Sequence, residues 1–208
     1  MNWSELLMPN YGTPSVTFVK GSGTELFDKD GKRYLDFLCG IAVTGLGHSH
    51  PRIADAISEQ ANTLLHVSNL FITEPQLEVA ATLYRLINSG NGQQGKILFQ
   101  NSGAEATEAA IKFARRYFYS KGQPKKNRVL CINNSFHGRT IATIFASNNK
   151  KATEGFGPKV DGFDHFNFGD HKGLEKAITS RTAAIMVETI MGEGGIKVIP
   201  DWCLKELR

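Results

Sequence analysis

The sequence predicts an α/β fold whose second part is built on a mainly parallel sheet. From residue 96 onward, short β-rich runs alternate with helical segments, the pattern of stacked strand–helix units. The 208 residues are 41% apolar and 21% charged, ordinary values for a globular chain. A compact protein of that length buries about 70% of the surface its unfolded chain exposes. Disordered, collagen-like and coiled-coil readings are excluded on the same composition.

The first section reads as short strands. Val16-Thr17-Phe18-Val19 and Thr24-Glu25-Leu26-Phe27 are β-rich runs separated by Gly21-Ser22-Gly23. Asp30-Gly31 is a hairpin-turn dipeptide leading into Arg33-Tyr34-Leu35-Asp36-Phe37. A glycine-rich crossing follows from Gly40 to His48. Pro51 then opens a helix expected to run to about Val67, with Ile53, Ile57, Leu64 and Leu65 on one face. A second helix starts near Thr73-Glu74-Pro75 and carries Leu77, Ala80, Ala81, Tyr84 and Ile87 at helical spacing.

The α/β part begins with Lys96-Ile97-Leu98-Phe99, a buried-type strand, and a helix from Gly103 to about Phe118. Arg128 to Ile132 reads as a strand, Thr140 to Ala146 as a short helix, and His171 to Thr179 as a helix. Ala183 to Val187 is a strand, and Pro200-Asp201 opens a last helix. That helix reaches Arg208 without a stop signal, which predicts a chain that is cut. The expected division is 1–68 for the strands, crossing and first helix, and 69–208 for the first part of a larger domain.

Charge and cysteine usage remove several functions. The net charge is +4, with 24 basic and 20 acidic residues spread along the chain. The one dense basic run, Lys125-Lys126-Asn127-Arg128, reads as a solvated loop, so no nucleic-acid partner is expected. No apolar run approaches the ~20 residues of a membrane span. The first residues lack the basic and apolar regions of a secretory signal. Cys39, Cys131 and Cys203 are too widely spaced for a metal site or a disulfide framework. A cytoplasmic location is expected.

Two glycine segments look alike on paper and differ in context. Gly90-Asn91-Gly92-Gln93-Gln94-Gly95-Lys96 matches GxGxxG, but it follows a helix and precedes a strand, the reverse of a nucleotide loop. It reads as a turn. Asn101-Ser102-Gly103-Ala104-Glu105 follows a strand and opens a helix. Ser102 and Glu105 have capping-box spacing, and Gly103 lets a ligand approach the backbone. Free N–H groups and the helix dipole suit an anion there. A plain capped helix explains Ser102 and Glu105 without explaining Gly103.

Phe136-His137-Gly138-Arg139 comes just past the strand ending at Ile132, where open α/β sheets hold ligands. Phe136 can stack on a planar ring, and Arg139 can fork onto a carboxylate. Taken alone, the segment also fits a surface loop with a core Phe. Glu188 ends a strand and Glu193 lies in Gly192-Glu193-Gly194-Gly195, a pair suited to a basic residue or a ligand ring, or else to a solvated glycine turn. His48 and His50 have no acidic companion nearby in sequence, and no metal site is expected.

Together these motifs resemble the class III (subgroup II) aminotransferases, pyridoxal-phosphate enzymes of fold type I, and most closely their acetylornithine branch. The resemblance runs through Val19-Lys20-Gly21, Asp28 to Phe37, Gly40 to Val43, Leu46-Gly47-His48 with Pro51, Ser68-Asn69-Leu70 with Thr73-Glu74-Pro75, Asn101 to Ala106, Phe136 to Thr140, and Gly192 to Gly195. It implies a truncated fold-type-I chain with pyridoxal 5'-phosphate as cofactor. Ser102, Gly103 and Ala104 would hold the cofactor phosphate. Phe136 would stack on its ring, and Glu188 would lie near the ring. Arg139 would bind the substrate α-carboxylate, and Glu193 would stand in the gating region near the substrate.

The implied parent reaction moves the δ-amino group of N-acetylornithine to 2-oxoglutarate in arginine biosynthesis. Ornithine, 4-aminobutyrate and succinylornithine are alternative donors. A homodimer with shared sites is implied as well. The family also requires an Asp for the pyridine nitrogen and a Schiff-base Lys. Neither Lys197 nor Lys205 has that Lys's surroundings, so no catalytic residue is assigned, and these 208 residues alone are expected to be inactive. A non-catalytic remnant or an assembly partner is the other reading. Where the family commonly has Glu-Pro-x-Gln-Gly-Glu, this chain has Glu188-Thr189-Ile190-Met191-Gly192-Glu193. Thr13 also falls in a stretch where relatives often carry Arg.

Overall fold

The computed structural model describes residues 3–88 and 95–207, so most of the Gly90–Lys96 turn lies outside the described residues. The chain divides into two compact units, Met1–Thr82 and Leu83–Arg208.

The first unit opens with α1 (Trp3–Leu6) and continues as an antiparallel meander of β1 (Phe18–Ser22), β2 (Glu25–Asp28) and β3 (Arg33–Leu35). Asp28 organises the expected turn at Asp30-Gly31. Its Oδ1 accepts from the N–H groups of Asp30 at 3.0 Å and Lys32 at 2.9 Å, and its Oδ2 from the Tyr34 hydroxyl at 2.9 Å. Burial opposes ionisation of Asp28, but these donors and the Lys32 charge outweigh it and lower the pKa.

After β3 the chain makes a single left-handed turn, α2 (Cys39–Ala42), with φ between 51° and 63° at all four residues. Asp36 ties this crossing together. It accepts from Leu38 N–H and Cys39 N–H, both at 2.9 Å, and its Oδ2 lies 2.6 Å from His48 Nε2. His48 therefore has a structural partner. α3 (Pro51–Thr63) and α4 (Glu74–Asn88) follow. α3 ends four residues short of Val67, and its apolar face is open: Ile57 is 64% exposed.

The second unit holds α5 (Gly103–Ser120), β4 (Arg128–Ile132), α6 (Ile141–Ser147), α7 (Lys150–Thr153), β5 (Phe163–Phe166), α8 (His171–Ala177), β6 (Thr182–Met186), a two-residue hairpin of β7 (Ile190–Met191) and β8 (Lys197–Val198), and α9 (Asp201–Leu207). The sheet order is β5-β4-β6, and both pairings are parallel.

The central strand β4 is covered on both faces. Val129 and Cys131 pack with Ile111, Ile144, Phe145 and Phe163, while Leu130 and Ile132 pack with Phe166, Leu174, Met191 and Ile199. This is the period-2 split of a strand buried on both sides, and it explains why the run reads as continuously apolar.

Two expectations need correction. Lys96-Ile97-Leu98-Phe99 is not a strand: among the described residues it pairs with no neighbour, and Leu98 is 54% exposed. A strand needs a ladder partner, and the described sheet offers this segment none. The strand β5 was not anticipated, because Asp164 and His165 interrupt its apolar pattern. Both polar groups are satisfied by residues far off in sequence. Arg128 Nε meets Asp164 Oδ2 at 2.7 Å, and His165 Nε2 lies 3.1 Å from the carbonyl oxygens of Phe145 and Ala146.

Candidate active site

The site starts at the N-terminus of α5. Ser102 has an extended backbone, and its Oγ accepts the N–H of Glu105 at 3.2 Å. The first N–H groups of a helix have no partner within it. Those of Gly103 and Ala104 carry no hydrogen bond among the described residues. A Cβ added at Gly103 would meet nothing within 4 Å. Packing within the described residues therefore does not demand a glycine here, whereas close approach of a ligand does. Together these features form an anion cradle, and they fit the phosphate of pyridoxal phosphate.

Gly138 brings the second segment onto this cradle. Its φ is +128°, and a Cβ there would come within 2.9 Å of both Ala104 Cβ and Thr143 Oγ1. Only glycine allows the Phe136–Arg139 loop to lie against the first turn of α5. Phe136 is 42% exposed, and the Arg139 guanidinium sits 5.3 Å from its ring centroid. That separation is within cation–π range. The ring and the guanidinium are thus held near the open N-terminus of α5.

Two further links fix the loop. Phe136 donates its N–H to Glu188 Oε1 at 2.7 Å, and Gly192 donates to Glu188 Oε2 at 3.3 Å. Thr140, the N-cap residue of α6, donates its hydroxyl to Glu108 Oε1 on α5 at 2.5 Å. His137 is buried and donates its N–H to Ser147 Oγ at 3.0 Å. Its Nε2 is buried without a hydrogen-bond partner. Burial lowers the His137 pKa, with His165 adding to the effect and Glu188 opposing it.

The structure thus gathers Ser102, Gly103, Ala104, Phe136, Arg139 and Glu188. Glu193 lies five positions after Glu188 and lines a polar cleft with Asn133, Asn134 and Asn167. Met191 is 1% exposed and packs in the core beneath β4, so an amide at that position would need partners inside the core. Sequence reasoning missed Glu108 and the packing role of Gly138. Neither has a local signal, since Thr140 lies 32 residues from Glu108.

Known proteins resemble this chain in sequence and fold. The chain is 47% identical over 202 residues to the acetylornithine aminotransferase of Agrobacterium fabrum, covering 97% of this chain and 49% of that protein. It is 44% identical over 211 residues to that of Methanocaldococcus jannaschii, covering 100% and 52%. The chain thus spans about half the length of these curated relatives. Among solved structures, the ornithine aminotransferase of Toxoplasma gondii ME49 superposes with a TM-score of 0.84 at 32% identity, over 99% of this chain and 48% of that one. An (S)-enantioselective omega-transaminase of Thermomicrobium roseum gives 0.82 at 31%, over 97% and 48%. Residues 7–208 match the family description Aminotransferase class-III, a pyridoxal-phosphate-dependent family, and this chain belongs to it.

Proposed function

We propose that this chain carries the cofactor-phosphate and substrate-carboxylate half of an aminotransferase that moves an amino group from N-acetylornithine to 2-oxoglutarate, in arginine biosynthesis and in the cytoplasm. The observation that carries the reading is the packing of Gly138 on Ala104, which sets Phe136 and Arg139 beside the open N-terminus of α5. Bound there, pyridoxal phosphate supplies an electron sink for amino-group transfer. The N–H groups of Gly103 and Ala104, with Ser102, take its phosphate. Phe136 offers a ring face, and Glu188 holds the Phe136 backbone in place. Arg139 offers a bidentate fork for a carboxylate, and Glu193 belongs to the substrate side. The acetylornithine donor is supported by the 47% and 44% identity to acetylornithine aminotransferases, and residues 1–68 and 69–208 are proposed as the small-domain segment and the first part of the cofactor-binding domain.

By itself the chain is expected not to transaminate, because neither Lys197 nor Lys205 has the surroundings of the family's Schiff-base lysine. Lys197 lies 5.6 Å from the Phe168 ring centroid, and Lys205 is on α9. A homodimer is the proposed assembly. It is supported by open apolar side chains in the first unit, among them Phe37 at 93% and Leu65 at 82% exposed.

Titration of the chain with pyridoxal phosphate tests the cradle: saturable binding is expected, and its absence overturns the reading. Turnover of N-acetylornithine by the isolated chain would overturn the inactivity. The donor is tested in a chimera continued by the remaining half of the Agrobacterium relative. Acetylornithine is expected to outpace ornithine and 4-aminobutyrate, and the reverse order would overturn the assignment.

A further inference from the structure

The carboxyl ends of β4 and β5 open into a cleft of about 450 Å³ that includes Glu193 but is lined by none of Ser102, Gly103, Ala104, Phe136, Arg139 or Glu188. Its walls come from four places. Asn133 and Asn134 follow β4, and Asn167 and Phe168 follow β5. Asn149 and Lys151 come from the start of α7, and Glu193, Gly194 and Lys197 from the β7–β8 hairpin. Open α/β sheets hold ligands at strand carboxyl ends, and the volume falls within the range of small-molecule sites.

The hydrogen bonds give the cleft a polarity. Asn148 Nδ2 donates to Asn133 Oδ1 at 2.7 Å, and Asn133 Nδ2 donates to Asn167 Oδ1 at 2.8 Å. Asn149 Oδ1 accepts from Lys151 N–H at 3.0 Å. The chain of amides therefore uses the acceptor oxygens of Asn133, Asn149 and Asn167 within the protein. The side-chain NH2 groups of Asn149 and Asn167 carry no such bond among the described residues. The ammonium groups of Lys151 and Lys197 form no ion pair there either. Spare capacity in this cleft is thus of donor type, opposed by the single carboxylate of Glu193. Hydrogen bonds in series polarise one another and strengthen the terminal donor.

The backbone is arranged to close this wall. Asn134 is held at φ 61°, a left-handed conformation that costs free energy unless the surroundings impose it. A Cβ on Gly194 would meet Met191 Cε at 2.7 Å and Asn134 O at 3.1 Å, so glycine lets the hairpin approach the strand end.

We infer that this cleft is a second binding site, for a small molecule bearing a carboxylate or phosphate group, held by Lys151, Lys197 and the amides of Asn149 and Asn167. The test is an NMR titration of the chain with succinate and, separately, with inorganic phosphate. Side-chain amide signals of Asn149 and Asn167 are expected to shift saturably with at least one of them. The probe that shifts them more identifies the preferred anionic group. The double variant K151Q/K197Q, altered at two exposed positions, is expected to bind about tenfold more weakly, the equivalent of one charge-assisted hydrogen bond. Ser102→Ala is expected to leave these shifts unchanged. Shifts confined to Ser102–Ala104 would overturn the proposal while leaving the cofactor cradle intact. So would shifts at Asn149 and Asn167 that K151Q/K197Q does not weaken, or no saturable shift with either probe.

Discussion

Phe136 N–H and Glu188 Oε1 meet at 2.7 Å, a hydrogen bond that joins the loop after β4 to the segment after β6. It fixes the backbone of Phe136, whose loop lies against the first turn of α5. Glu188 also accepts from Gly192, so a single carboxylate anchors both the ring-bearing loop and the β7–β8 hairpin. Glu188→Ala removes both acceptors and is expected to lower stability by about 2 kcal/mol, the range for bonds to a charged group. Glu188→Gln keeps one acceptor oxygen and is expected to lose about half as much. Urea denaturation of the two variants checks the order. Equal stability of Glu188→Ala and the parent would show that the contact does not hold the loop.

Gly103 and Gly138 make a paired prediction with opposite signs. Gly103→Ala places a methyl in open space at the start of α5 and is expected to stabilise the fold by about 0.5–1 kcal/mol, through lower unfolded-state entropy and better helix propensity. The same methyl is expected to obstruct phosphate and weaken pyridoxal-phosphate binding. Gly138→Ala meets Ala104 and Thr143 at 2.9 Å with φ at +128°, and is expected to cost about 2–3 kcal/mol. Thermal melts together with cofactor titration separate the two. A Gly103→Ala chain that binds as tightly as the parent would rule out the cradle.

Arg128 is the main polar tie of the parallel sheet. Its guanidinium reaches Asp164 at 2.7 Å, Asp161 at 3.0 Å and the Phe163 carbonyl at 3.1 Å. Asp161 is largely exposed, whereas the Asp164 side chain is 31% exposed and the Arg128 side chain 15%. Arg128→Met leaves the Asp164 carboxylate part-buried without its counter-charge, and is expected to cost about 2–3 kcal/mol. Adding Asp164→Asn to that variant is expected to restore part of the loss. A double variant no more stable than Arg128→Met would place the cost in lost packing of the arginine stem instead.

The same sheet shows what was legible in the sequence. β4 was readable because Val129 to Ile132 are apolar on both faces. α5 was readable because Ser102, Gly103 and Glu105 form a local start signal. Both signals lie within a few residues. β5 was hidden because Asp164 and His165 look solvent-seeking until Arg128 and the carbonyls of Phe145 and Ala146 are placed beside them. The strand expected at Lys96–Phe99 failed for the converse reason: local apolarity cannot supply a ladder partner. The site residues were readable as two separate motifs. Their union was not, because it depends on Gly138 touching Ala104 across 34 positions of sequence.

Buried His137 and half-buried His165 set the pH dependence of the second unit. Burial is the main cause lowering the pKa of His137 and of His165 below the ordinary 6.5. For His165, the carbonyls of Ala146 and Phe145 and the charge of Asp164 pull upward, while Lys159 adds to the lowering. For His137, Glu188 pulls upward and His165 pushes down. The unfolded chain takes up these protons near pH ~6.5, while the native state resists them. Stability from both groups is therefore fully present above that value, and is lost as pH falls from there through the lowered native values. The carboxyls of Asp28, Asp36 and Asp161 also titrate below their ordinary value, so their contribution is lost only at more acid pH. The urea midpoint is expected to fall between about pH 7.5 and pH 5.5, and the slope to flatten in a His137→Asn, His165→Asn double variant. A parent midpoint that stays constant over that interval, or a slope the double variant does not change, would remove the histidines from the account.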